Sequence, residues 1–321
     1  MKNPFRFGIQ TFNTTSGKEW GEFARKAENL GYSTFHLADH LLGPGPALEA
    51  ANHPVQNVAA IPAMAYAAAV TDTIKIGCRV FCIDYHIPVV LVKSAMTIDF
   101  LSDGRLELGL GAGWIKSEYE AVGIEFDEPA VRIDRLADVI EGVKAFRGDK
   151  PLNVTNGTLN WADFEGLPKP VGSAPIMVGG GSPRVLRLAG READIVSLNF
   201  NNRAGMIGPD GVQKSTEEET LKKIRWIKEG AQDRFENIEI EIGAYFTVVT
   251  DDAKSVVAGF AQMFGCSEEE MLHHPHTLFG SVDSICEEIE RRREKYGISY
   301  FTVGEDNLEA FAPVVARMTG K

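Results

Sequence analysis

The 321 residues predict an α/β fold, a TIM (β/α)8 barrel with loop insertions, and three observations carry the prediction. Strand-like and helix-like segments alternate along the whole chain in about eight units, the unit count of such a barrel. The surplus over the typical barrel length of roughly 250 residues falls in long loops. Residues of functional type gather just after the strands, where the C-terminal rim of a barrel lies. Doubly wound sheets alternate in the same way, but the unit count and the placement of those residues favour the barrel. No linker divides the chain, so 1–321 reads as one domain.

Phe5 to Gln10 is the first strand, and Ser16-Gly-Lys-Glu19 reads as a capping box for a helix with Trp20, Phe23, Ala24, Ala27 and Leu30 at helical spacing. Thr34 to Ala38 is the second strand, followed by a loop with Asp39, His40 and several Gly and Pro residues. Helix 57–70, strand Ile74 to Phe81 and a helix from Pro88 to Leu101 come next, closed by the turn Ser102-Asp-Gly104. Arg105 to Leu110 is the fourth strand. Pro129 opens a helix that Gly148 and Pro151 stop, and residues 151–174 form a polar excursion. The alternation resumes with strand 176–178, helix 183–190, strand Asp194 to Leu198 and a helix near 216–231. Strand Ile238 to Val249, a helix from Ser281, strand Ile298 to Val303 and a helix ending at Met318 complete it.

Composition narrows the class. The chain is 44% apolar, enough for a large core without disulfide or metal staples. Its 33 basic and 45 acidic residues leave a net charge of -12 with no dense basic run, which argues against nucleic acid or an anionic membrane as partner. Cys78, Cys82, Cys266 and Cys286 form no CxxC pair or dense framework and read as reduced cytosolic residues. No segment has the pattern of a signal peptide or a membrane span; the longest apolar run, Ala59 to Val70, is interrupted by Pro62. A cytoplasmic enzyme with a small-molecule substrate is the expected class.

The most informative stretch is Ile176-Met-Val178 followed by Gly179, Gly180, Gly181, Ser182 and Pro183. A buried strand runs through three glycines into a helix with Ser at the N-cap and Pro at the first helical position, so bare amides and the positive helix end converge on an anion. The second glycine cluster places Gly109, Gly111 and Gly113 two apart, with Ala112 between the last two and Trp114 where a dinucleotide fingerprint needs its final glycine. Close packing accounts for Gly109, and ligand contact is expected at Gly111 and Gly113. His40, preceded by Asp39, suits proton transfer near neutral pH. His36 reads as a core histidine, sharing a face with His40 if the strand extends that far. The triplet His273-His-Pro-His276 lacks metal-ligand spacing and reads as a solvated loop, so no metal is expected. Arg291-Arg-Arg293, among glutamates, reads as an exposed helix face.

These residues together resemble the luciferase-like flavin and deazaflavin oxidoreductase superfamily. The likeness rests on Phe7-Gly-Ile-Gln10, Leu30 to His40, Ile74-Lys-Ile-Gly77, Leu101 to Trp114 and Ile176 to Gly181, in that order and spacing. Gly123 to Leu136, Arg191 to Val196 and Tyr296 to Tyr300 are similar to members that are predicted to use coenzyme F420. The resemblance implies a cofactor ring in the C-terminal mouth and a phosphate-bearing tail between the two glycine clusters, Gly179 to Pro183 facing Gly111-Ala-Gly113 across the rim. It implies ring support on a bulge after the third strand, with Arg79-Val80 as a cis peptide, and a proton carried by His40 beside Asp39. The implied activity is hydride exchange between F420 and a small organic substrate. FMN-dependent monooxygenation and cofactor binding without turnover stay open, and a homodimer is expected. Sugar-phosphate oxidising members carry a glutamate after the last glycine and a tryptophan after Asp-His. Here Trp114 and Gly43-Pro-Gly-Pro46 stand in those regions, which points away from that substrate. Specificity is expected in loops 41–57, 151–174 and 199–216.

Overall fold

The computed structural model describes residues 3–202, 205, 206 and 208–321, so the expected specificity loop 199–216 has residues 203, 204 and 207 outside the described residues. Eight parallel strands close into a barrel: β1 (Arg6–Thr11), β2 (Thr34–Leu37), β3 (Lys75–Cys82), β4 (Leu106–Gly111), β5 (Ile176–Gly180), β6 (Ile195–Leu198), β7 (Glu239–Ala244) and β8 (Ile298–Gly304). Around the barrel each strand pairs with its sequence neighbour and β8 closes on β1. The predicted units stand in the predicted order. Alternate strand residues such as Phe7, Ile9, Phe35, Leu37, Ile76 and Leu108 turn outward and bury themselves under the helices in one continuous apolar cluster.

The inward residues at the lower end are polar. Arg6 donates from Nε to Glu239 Oε1 at 2.8 Å and from Nη1 to Glu107, while its guanidinium lies 3.6 Å from the Tyr300 ring centroid. Thr34 and Tyr300 hydroxyls donate to Glu107, each at 3.2 Å, and His36 Nε2 meets the Tyr300 hydroxyl at 2.6 Å. Burial would raise the Glu107 pKa, but the charge of Arg6 overrides it and holds the carboxyl below its ordinary value. Burial drives the His36 pKa down to about 3, so its ring is neutral, and it is a core histidine as expected. Gly8 and Gly77 make room for it: a Cβ on Gly77 would lie 2.8 Å from His36 Nδ1. These side chains form a hydrogen-bonded polar floor. The second strand ends at Leu37, so the shared face anticipated for His36 and His40 does not arise.

Several expectations need correction. The segment expected as one strand, Ile238 to Val249, is two. After Ala244 the chain leaves the barrel, the Phe246 amide donates to the His276 carbonyl, and Phe246–Val249 pairs in parallel with Thr277–Gly280. Between these strands lie the unpredicted helices Ala253–Phe264 and Glu268–Leu272, with Phe264, Met271 and Phe279 in a second apolar cluster. The histidine triplet is therefore no solvated loop: His274 and His276 are buried, His276 Nδ1 lying 2.8 Å from the Gly243 carbonyl. Arg292 is likewise fully buried rather than exposed, because the carbonyls of His274, Pro275 and Thr277 at this crossing need a donor. The 151–174 excursion contains a hairpin, Leu152–Thr155 with Asn160–Phe164, and loop 41–57 holds the short helix Pro46–Ala51. At the first helix, Ser16 accepts from the Glu19 amide, but the Glu19 carboxylate turns back to the Thr15 amide, so only half of the capping box forms. Among the described residues no helix is long and apolar enough to cross a membrane.

Candidate active site

The C-terminal mouth collects side chains from every part of the barrel. His40, three residues past β2, places Nδ1 2.8 Å from Glu118 Oε2. Glu118 stands in the helix Lys116–Val122 that follows Trp114, and it also accepts from the Leu41 amide at 2.5 Å and the Tyr85 hydroxyl at 2.8 Å. Burial alone would raise the Glu118 pKa, but these donors outweigh it and the carboxyl is held below its ordinary value. An ionised Glu118 accepts a hydrogen bond from Nδ1–H and so fixes the ring's tautomer, leaving Nε2 to exchange a proton.

Asp39 is not the partner of His40. Its Oδ2 accepts from the Cys82 amide at 3.0 Å and lies 2.8 Å from His86 Nε2. The two adjacent residues thus serve two separate carboxylate–imidazole pairs, Asp39 with His86 and His40 with Glu118. Gln56 ties them to the loop, accepting from the His40 amide at 3.3 Å and donating to the Ala38 carbonyl at 2.8 Å.

The Arg79-Val80 peptide is cis. The bulge that carries it falls inside β3, between Cys78 and Phe81 in the pairing with β4, rather than after the strand. Arg79 turns into the barrel, donating to Glu241 Oε1 at 2.9 Å and Gln10 Oε1 at 3.1 Å, and reaching the Tyr245 hydroxyl at 3.3 Å. Val80 also lies inside the barrel, on the side of β4 and β5. Its methyls occupy the space that side chains would need: a Cβ would stand 3.0 Å from Val80 on Gly109, 2.5 Å on Gly111 and 3.3 Å on Gly179. The bare face of β4 is therefore filled from within, by Val80, by the Cys78 carbonyl against Gly109 and by Tyr119 against Gly113. Half-buried Val80 remains as a small apolar platform in a polar mouth.

Gly181 packs on the Phe200 carbonyl and Gly180 on Val185, so these glycines also serve close approach of the chain to itself. Ser182 stands at the N-cap of Pro183–Glu192 with extended backbone, but its hydroxyl makes no capping bond. The Leu186 amide, bonded to the Ser182 carbonyl at 3.1 Å, is the first in this helix to be closed by the helical pattern, so the amide end points at the mouth. The two glycine clusters do not face each other across the rim: β4 and β5 are paired neighbours, Leu110 level with Val178, and the clusters lie side by side. No group of residues able to hold a metal ion occurs among the described residues.

The sequence singled out His40, Arg79-Val80 and the glycine loop, and it did not announce the pairing of His40 with Glu118, of Asp39 with His86, or the contacts of Tyr85, Asn199 and Tyr245. Asn199 and Tyr245 hydrogen-bond to each other above Arg79. Their only sequence signal is position, each just past a barrel strand.

Comparison with known proteins follows the same lines. The chain is 27% identical over 219 residues to an F420-dependent glucose-6-phosphate dehydrogenase of Amycolatopsis mediterranei, covering 68% of this chain and 60% of that protein. It is 30% identical over 201 residues to a 5,10-methylenetetrahydromethanopterin reductase of Archaeoglobus fulgidus, covering 61% and 54%. The fold superposes with a TM-score of 0.73 on an F420-dependent secondary alcohol dehydrogenase solved with an F420-acetone adduct, at 19% identity over 98% of this chain and 99% of the other. With residues 4–295 matching the family model for luciferase-like monooxygenases, and the barrel and mouth built as described, the chain belongs to the luciferase-like monooxygenase family.

Proposed function

We propose that this chain is an F420-dependent oxidoreductase exchanging a hydride with a small organic substrate, in which His40 carries the proton and Glu118 positions it. The observation behind the reading is the His40–Glu118 contact of 2.8 Å, in a chain similar to proteins whose names give them as F420-dependent enzymes. The residues fit such a group. A flat apolar ring finds a half-buried valine, and an anionic tail finds the amide end of Pro183–Glu192 beyond Val178, Gly179, Gly180, Gly181 and Ser182. Gly111, Ala112 and Gly113 follow Leu110, which pairs with Val178, and so lie beside this loop.

When bound, the deazaflavin supplies a carbon that gives or takes a hydride. The protein's own part is positional. Glu118 holds His40 Nδ1–H, so that Nε2 delivers a proton to the substrate oxygen during reduction and takes it back during oxidation. Asp39 anchors the strand end through the Cys82 amide and steadies His86. Arg79, locked to Glu241 and Gln10, fixes the turn that presents Val80.

Titration of the purified protein with F420 and with FMN, read by their distinct absorbance, tests the cofactor, and reoxidation of reduced F420 by a panel of ketones and aldehydes tests turnover. F420 binding with reoxidation is expected. Tight FMN binding without F420 binding would overturn the reading in favour of an FMN-dependent monooxygenase. F420 binding without reoxidation would support a binding protein. The proposal includes a single domain spanning 1–321 and a cytoplasmic homodimer. Helices Ala60–Ala69 and Pro88–Leu101 keep Tyr66, Val90, Phe100 and Leu101 exposed, a surface that a second copy would cover. A monomeric mass by light scattering would remove the dimer.

A further inference from the structure

We infer that the substrate is an uncharged, flat, aromatic or conjugated carbonyl compound or its alcohol, selected by a wall of rings around His40; this rests on the function proposed above. Four half-buried rings from three parts of the mouth meet there. His53, from loop 41–57, lies against His40 with ring centroids 4.1 Å apart. Trp114 stands edge-on to both, 6.1 Å from His40 and 5.9 Å from His53, and Phe12, just past β1, stands edge-on to His53 at 5.5 Å. His53 Nδ1 lies 2.8 Å from the Pro54 carbonyl, to which it donates, so this ring is held by the loop backbone and presents its face and Nε2. Its pKa is lowered to about 3, first by burial and then by neighbouring His40, so the wall carries no charge from His53 at neutral pH.

Three carboxylates stand about this wall. Glu118 lies beneath His40, Asp39 beside it, and Glu305 beyond Phe12 on the Thr11 hydroxyl. The arginines of the mouth are committed elsewhere, and buried Lys223 donates to the Asn199 carbonyl at 2.8 Å. Arg79 is held by Glu241, Arg135 by Asp84 and Asp127, and Arg132 by the carbonyls of Ala112, Gly113 and Asp127. Lys116 reaches Glu120. A phosphate or carboxylate on the substrate would lie close to these carboxylates with none of the arginines free to pair with it, whereas a neutral ring stacks on Trp114 and His53 with its oxygen toward His40.

Saturation-transfer NMR with acetophenone and glucose 6-phosphate as probes tests this, on cofactor-free protein and again after addition of F420 or FMN. Acetophenone is expected to receive saturation and glucose 6-phosphate is not. Trp114→Ala should weaken acetophenone about tenfold, while Trp114→Phe stays within about threefold, since an edge or face contact survives in phenylalanine. Thermal melting of both variants separates loss of the wall from loss of fold. Glucose 6-phosphate binding as well as acetophenone, binding of neither probe in any state, or a folded Trp114→Ala that binds like wild type would each overturn the inference. Failure of F420 to bind while acetophenone still contacts the protein through Trp114 would instead remove the proposed function and leave the wall standing.

Discussion

Acidification from about pH 7.5 to about pH 5 should cost ~2 kcal/mol of stability through His36 alone. In the folded protein His36 is fully buried, with a pKa of about 3 against 6.5 for a free imidazole. The depressed value means that its contribution is fully present above pH 6.5 and is lost as the pH falls toward 3, because only the unfolded chain takes up the proton over that range. About 1.5 units below 6.5, at roughly 1.4 kcal/mol per unit, gives the ~2 kcal/mol. Urea unfolding followed by circular dichroism at the two pH values, for wild type and His36→Gln, isolates the effect as a double difference in which the other titrating groups cancel. Wild type should lose ~2 kcal/mol more than the variant. The competing arrangement is a charged His36 paired with Glu107 Oε2, 3.9 Å away, and it would make wild type gain relative to the variant on acidification. Equal losses, or a relative gain, would refute the neutral ring.

Three further outcomes are expected. Glu118→Gln cannot accept from His40 Nδ1–H and the Leu41 amide at once, so turnover should fall about 10- to 100-fold with little change in cofactor affinity; parallel losses of both would show that Glu118 acts on binding. Gly181→Ala would set a Cβ 2.3 Å from the Phe200 carbonyl, and the loop must shift; cofactor affinity should drop about tenfold or more by titration, and unchanged affinity would take the loop out of the site. Arg292→Met leaves the carbonyls of His274, Pro275 and Thr277 without their buried donor and should cost about 3–5 kcal/mol in chemical denaturation, a loss under 1 kcal/mol being incompatible with the observed bonds.

The barrel was legible in the sequence because its signals are local. Ile176-Met-Val178 is an apolar run, Pro183 marks a first helical turn, and the helix Pro88–Leu101 has the bounds its own residues announce. What stayed hidden is contact between distant segments. Asp39 and His40 are neighbours in the chain, yet their side chains go to partners 47 and 78 residues away. The charge pattern Arg291-Arg-Arg293 looks solvated throughout, and only the arrival of the His274–Thr277 carbonyls makes the middle arginine a core residue. Likewise, glycines at alternate positions announce that β4 is bare on one side, without saying that Val80 fills the space.

The hydrogen-bonded floor of Arg6, Glu107, Glu239 and Tyr300 has a kinetic consequence. A barrel stopped at one end is a cup with a single door, so two reactants that meet inside it must pass through the same opening. The one that settles deeper has to enter before the other and depart after it. Turnover should therefore follow a compulsory order, with the deeper ligand leading, and the trailing product should inhibit in a pattern that a random-order scheme does not produce.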